Sequence, residues 1–180
     1  MKYFSLPLGI AILTCLLFLS TLSCQKGLKA PNGLSFSYIR DYKNWPLISL
    51  NYRRDLEELH MILGNRTALE NYIHGTPQNG KSFTDGTVLV RLIFAARPNP
   101  SFPQSLEPVG LQRLDYMLKD VERFKETEGW GYANFIYDAK NQSFKPYGKD
   151  ASFAQECCNC HRLAKSRDYV FTSYTPKATK

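Results

Sequence analysis

The chain has 180 residues, with 23 Lys and Arg against 16 Asp and Glu for a formal net charge of +7. That length suits one domain with a real core, and neither low-complexity tracts nor internal repeats occur. The basic residues are scattered rather than massed, so they read as a solvated surface able to attract an acidic partner or anionic lipid; nucleic acid is not an expected partner.

The N-terminus carries Lys2, an apolar run from Leu6 to Leu22, and Ser20-Thr21-Leu22-Ser23 before Cys24. This is the pattern of a secretory signal over residues 1–23. The run is slightly short for a retained spanning anchor, the other reading, which needs ~20 apolar residues. The expected destination is the bacterial periplasm. Leu22-Ser23-Cys24 also approaches a lipoprotein box, which would make Cys24 a lipid anchor facing that compartment. Thr21 and Leu22 are unusual in such a box, and plain cleavage stands beside lipidation. Residues 24–39, with Pro31, Asn32 and Gly33, lack periodicity and read as a flexible tether. The folded domain is expected over 40–176, with 177–180 as a tail.

Leu56, Leu59, His60 and Leu63 fall at helical spacing, with Gly64-Asn65 as a stop. Thr67 and Glu70 form a capping-box pattern that opens a short helix bearing Leu69, Tyr72 and Ile73. Asp85-Gly86 is a turn pair, and Thr87 to Phe94 is rich in β-branched and apolar residues, as in a largely buried strand. Pro98, Pro100, Pro103 and Pro108 predict a long loop. Leu111 to Glu126 fits either a helix (Leu114, Leu118, Val121, Phe124) or an alternating strand (Leu114, Tyr116, Leu118). Gly129-Trp130-Gly131 turns the chain into a strand over Tyr132–Tyr137. A short helix should carry the cysteines, and Tyr169–Tyr174 reads as a last strand. The expected fold is α+β, built on an antiparallel sheet with a few helices.

Cys157-Cys158-Asn159-Cys160-His161 carries the chemistry. A c-type haem needs two thiols three positions apart to reach the two vinyl groups of one porphyrin, and a histidine next in line for the iron. Cys157, Cys160 and His161 meet that requirement in a chain marked for export. A zinc site needs four ligands, usually as two pairs, and only His60 and His74 are at hand, without paired spacing. A Cys157–Cys160 disulfide would leave His161 without a role. Cys158 reads as a small buried side chain.

Only nineteen residues follow His161, and none is Met or His. A sixth iron ligand would have to come from His60, Met61, His74 or Met117, each of which has a packing or surface role to play instead. The expectation is one covalent haem c with five-coordinate iron and an open, apolar distal face.

Several segments resemble the cytochrome P-460 family, which includes the cytochromes c′-beta. They are Gly64-Asn65 with Ala68 and Tyr72; Phe83-Thr84-Asp85-Gly86-Thr87-Val88; Met117-Leu118-Lys119-Asp120; and Gly129-Trp130-Gly131-Tyr132 with Phe135. Last come Cys157, Cys160 and His161, followed by Ala164-Lys165, Asp168, Val170-Phe171-Thr172 and Tyr174. The resemblance implies an antiparallel-sheet domain, usually a homodimer, with five-coordinate c-type haem. Its members oxidise hydroxylamine and handle nitric oxide, or bind nitric oxide and related gases behind bulky apolar residues. The oxidising members carry a lysine bonded to the porphyrin edge, shortly before the Phe-x-Asp-Gly-Thr segment. Lys81 is the one candidate here and sits closer to Phe83 than that pattern has it. Phe83 itself resembles a distal-pocket phenylalanine.

Three functions follow as expectations: a haem protein that binds nitric oxide or related small nitrogen species, a hydroxylamine-oxidising or nitric oxide-oxidising enzyme, and an electron carrier with a redox partner protein. The second needs a proton acceptor, for which Glu126, Glu128, Asp150 and Glu156 are candidates. The displaced lysine tilts the reading toward gas binding.

Overall fold

A computed structural model describes residues 27–174; the signal segment, Cys24 and the expected tail lie outside them. Six antiparallel strands form one sheet in chain order: β1 (Leu47–Arg53), β2 (Glu58–Gly64), β3 (Val88–Asn99), β4 (Phe102–Lys119), β5 (Trp130–Asp138) and β6 (Ser143–Pro146). Helix α1 (Arg66–Ile73) links β2 to β3, and helix α2 (Phe153–His161) follows the sheet. This is the α+β, antiparallel-sheet fold expected.

Alternation along the strands divides the sheet into two faces. Leu63, Val90, Leu92, Leu114, Tyr116, Ala133 and Phe135 point to one face and pack with Leu34, Phe36, Ile39 and Phe153. Ile62, Leu89, Met117 and Tyr132 point to the other, where they meet Phe83, Trp130, Cys158 and Val170. The second face also carries Arg91, Asp115 and Asn134, which face one another across β3, β4 and β5.

The segment expected to be a tether is part of the domain from about residue 28. Leu34 and Ile39 are fully buried, each worth roughly 1.5–3 kcal/mol of apolar transfer. The Tyr116 hydroxyl donates to the Ser35 carbonyl, and Asn32 donates to that of Tyr132. Apolar residues separated by Pro, Asn and Gly covered the first sheet face without any period to announce it.

Four further expectations are corrected. Leu56 to Leu63 forms no helix: Arg53 and Glu58 pair across a hairpin, and β2 is buried on both faces. Helix α1 starts from Asn65, whose Oδ1 accepts from Ala68 N–H at 2.9 Å and Val88 N–H at 3.1 Å; Thr67 lies inside the helix. The proline-rich stretch is no loop but the outer half of the β3–β4 hairpin. Beyond Ala96, whose N–H still donates to Glu57 O, β3 has only β4 for a partner, so prolines can occupy edges that need no N–H donor. Finally, Tyr169–Tyr174 is irregular rather than a strand. Side chains satisfy its carbonyls: Arg167 donates to Val170 and Thr172, and the Tyr72 hydroxyl to Thr172.

The ambiguous Leu111–Glu126 segment resolves as strand up to Lys119, then a 3₁₀ turn at Lys125–Thr127. Gly131 has no space for a side chain, because a Cβ there would collide with the Phe124 ring.

Candidate haem site

Helix α2 carries Cys157 and Cys160 and ends at His161, beside a cavity of about 540 Å³ over the second sheet face. Cavities of roughly 300–1,000 Å³ are the usual size for small-molecule and cofactor sites. Cys157, Cys160 and His161 all line it, with Tyr132, Met117, Leu89 and Ile62 on the apolar side and Phe171 at the mouth. Cys158, one position on, is fully buried in the apolar cluster and turned away from the cavity.

The His161 ring is tightly specified. Its Nδ1–H donates to the Tyr169 carbonyl at 2.7 Å, so Nε2 is left as the free nitrogen. Tyr132 packs on the ring with centroids 5.1 Å apart, and Phe171 does so at 5.0 Å. Burial lowers the imidazole pKa, outweighing the carbonyl that raises it, and keeps the ring in the neutral form a metal requires. Burial pushes the Cys157 thiol up to about 11.

The wall expected to be apolar is mixed. Arg91 Nη2 and Arg113 Nε, the latter at 3.3 Å, donate to Asp115 Oδ2. Oδ1 of Asp115 is buried with no aligned donor, although Arg113 Nε lies 3.2 Å away. The Tyr132 hydroxyl is buried and unpartnered as well, and burial holds it protonated far above the ordinary phenol range. Farther out, His60 Nε2 pairs with Glu58 Oε2 at 2.8 Å, both buried, and Arg53 joins the lining.

This arrangement fits a haem. The cavity has the size, the two thiols and the free imidazole nitrogen border it, Arg53 and Arg91 offer cations to porphyrin carboxylates, and two buried polar atoms inside lack partners. A zinc staple has no comparable donor set: among the described residues no three His, Cys, Asp or Glu side chains converge on a metal position.

Other sequence candidates lie elsewhere. Lys81 is exposed in a turn where its N–H bonds Asn79, and it does not line the cavity. Phe83 is buried edge-on against Tyr72 at 5.2 Å and Trp130 at 5.8 Å, outside the lining, so its observed role is core packing. Glu126, Glu128, Asp150 and Glu156 do not reach the cavity either. Asp115 does, and its signal was a charge interrupting the apolar run Leu114–Leu118, matched by Arg91 within Val88–Phe94.

Of the possible sixth ligands, Met61 packs on the opposite face and His74 is exposed. His60 lines the cavity, but its Nε2 is committed to Glu58 Oε2 at 2.8 Å. Met117 borders the cavity while packing into the Tyr132–Trp130 cluster.

A search of curated proteins returns no match. The sequence matches the family described as Cytochrome P460 over residues 39–172, nearly the whole described domain, and the chain therefore belongs to the cytochrome P460 family of haem-binding cytochromes.

Proposed function

We propose that the protein is an exported mono-haem c-type cytochrome whose iron, held by His161, binds nitric oxide or a related small nitrogen species. The observation that carries this reading is the commitment of His161 Nδ1 to the Tyr169 carbonyl, which leaves Nε2 free at a cavity bordered by both thiols. Cys157 and Cys160 form the two thioethers, since they border that cavity on one helix. Bound there, haem supplies a coordination position for a diatomic ligand and one-electron redox chemistry.

The residues of the chain do the rest. His161 would hold the iron through Nε2, Ile62, Leu89, Met117 and Tyr132 would keep water from it, and Arg53 and Arg91 would offer their charges to the porphyrin carboxylates. The exposed position of Lys81 speaks against a lysine cross-link and so for gas binding over hydroxylamine oxidation. One observation favours the enzyme reading instead: Asp115 brings a carboxylate to the cavity, its Oδ1 beside Arg113 Nε at 3.2 Å but without an aligned donor, and such a group could accept protons released from a substrate. An electron carrier would need a sixth ligand, and Met117 is the residue within the site that could supply one.

Export to the periplasm, with or without a lipid at Cys24, follows from the signal pattern and from the compartment in which c-type haem is attached. We expect a homodimer, consistent with the exposed Phe102, Leu106 and Val109 on the outer β3–β4 hairpin. An acidic redox partner suits the +7 charge.

The test is mass spectrometry of peptides from protein made alongside haem-attachment machinery. One haem mass on the peptide holding Cys157 and Cys160, with none on the peptide holding Lys81, is the expected result. Haem mass on the Lys81 peptide would move the assignment to the oxidising enzyme, and a colourless chain would overturn both.

A further inference from the structure

We propose that the buried ion pair of Lys119 and Asp168, which lies outside the cavity, is the positioning device for the His161 imidazole and thereby tunes the reduction potential of the iron. This rests on the haem reading above and adds a function for two residues that reading does not use.

Asp168 and Tyr169 are both in the left-handed region, at φ 49° and 65°. Two successive residues with side chains are disfavoured there, and a tyrosine has no turn chemistry to compensate, so the surroundings must hold the conformation. They do so at every polar atom of Asp168. Oδ1 receives Lys119 Nζ at 2.8 Å, Oδ2 accepts from Phe83 N–H at 2.8 Å, and the carbonyl accepts from Trp130 Nε1 at 2.9 Å. The Tyr169 N–H donates to Ala164 O at 2.9 Å. With both of these residues fixed, the Tyr169 carbonyl is aimed at His161 Nδ1.

Lys119 is the unexpected member. It is 4% exposed, it ends a strand, and its ammonium sits over the Trp130 ring at 5.0 Å. A buried ion pair is a weak source of stability, since apolar residues of similar volume often serve as well. Its geometric effect is the distinctive one: a cation anchored in the sheet pins the carboxylate that starts the left-handed turn. A rigidly held carbonyl draws the Nδ1 proton and gives the imidazole more anionic character, and outer partners of this kind set ligand orientation and basicity. A more basic imidazole favours the oxidised iron and lowers the potential.

The experiment compares haem-loaded Asp168→Asn, Lys119→Met and the double variant with the parent. The readouts are the iron–histidine stretching band of the reduced protein by resonance Raman and the midpoint potential. The double variant leaves no unpaired buried charge and so folds even where a single one fails. Each folded variant is expected to show a lower stretching frequency and a higher potential. Leu34→Ala, which loosens the core on the opposite sheet face, is expected to lower thermal stability while leaving both readouts at the parental values. A folded, haem-bearing double variant with parental band and potential overturns the proposal alone. A parent protein that never acquires haem overturns the haem reading and this inference with it.

Discussion

Tyr169 and His161 meet through one hydrogen bond of 2.7 Å, donated by the imidazole Nδ1 to the backbone carbonyl of a left-handed residue. The relationship explains why residues 169–174 are irregular. A regular strand would commit that carbonyl to a neighbouring strand, whereas here it is free to select one tautomer of the histidine. The remaining nitrogen then faces the cavity, and Tyr132 and Phe171 restrict rotation of the ring. The orientation of the imidazole is therefore set by the chain itself.

Five-coordinate iron is the first consequence to test. Met117 borders the cavity but packs with Tyr132 and Trp130. Met117→Leu, a volume-conserving change costing less than about 1.5 kcal/mol, is expected to leave a high-spin optical and paramagnetic resonance spectrum unaltered. A low-spin parent that becomes high-spin in this variant would identify Met117 as a sixth ligand and replace gas binding with electron transfer.

Asp115 separates the remaining two functions. Asp115→Asn preserves the shape of the site and removes the carboxylate that Arg91 and Arg113 contact. Nitric oxide affinity, measured by optical titration, is expected to change less than about threefold, because a neutral diatomic needs little help from hydrogen bonds. Steady hydroxylamine oxidation is expected to be absent from the parent. Should the parent show it, and Asp115→Asn lower it by about 10²-fold, a proton-acceptor role would account for the loss and the enzyme reading would win.

The parts of this architecture visible in the sequence were those with a strong local signal. Val88–Phe94 and Tyr132–Tyr137 are dense in residues that suit a pleated surface, and the Cys157–His161 spacing is informative on its own. The β1–β2 hairpin was hidden because β2 is buried on both sides: Glu58 and His60 sit as a satisfied pair on the cavity face while Leu59, Met61 and Leu63 sit on the other. Without a polar face there was no alternation to see, and Leu56, Leu59, His60 and Leu63 matched a helix by coincidence. Prolines concealed the outer β3–β4 hairpin because they normally break strands, yet its outer edges have no partner to lose. Within the site, the thiols and His161 were legible. Arg91 and Asp115 could not be paired before the register brought them opposite each other.

The His60–Glu58 pair predicts a pH dependence. Burial lowers the His60 pKa, outweighing the Glu58 hydrogen bond that raises it, while Arg91 and Arg53 lower it further. The unfolded chain takes up this proton near pH ~6.5, whereas the folded chain does so only at lower pH. Between the two values the unfolded state binds more protons, so stability falls as pH drops below about 6.5 and levels off beneath the folded pKa. The full contribution is present above 6.5. Denaturant midpoints of haem-loaded protein at pH 7.5 and 5.5 measure this while His161 is tied to iron. His60→Gln, whose amide can still donate to Glu58, is expected to flatten the difference. An equal fall in that variant would assign the effect to other groups.

Cys158 provides the last test, because it separates packing from attachment within one motif. Its side chain is fully buried among Ile48, Ile62, Trp130 and Val170, whereas Cys157 and Cys160 line the cavity. Cys158→Ala removes one buried sulfur and is expected to cost about 1 kcal/mol. Cys158→Ser inserts a hydroxyl into an apolar cluster and is expected to cost about 1–3 kcal/mol. Both variants should retain one covalent haem by intact mass. Cys160→Ser inverts the pattern, with little direct damage to the apolar core because Cys160 is exposed. Cys157→Ser, at a half-buried residue packed against both core clusters, is expected to cost some stability as well, and each variant loses one thioether. A haem lost from Cys158→Ala and retained with two thioethers in Cys157→Ser would show that the attachment pair had been misassigned.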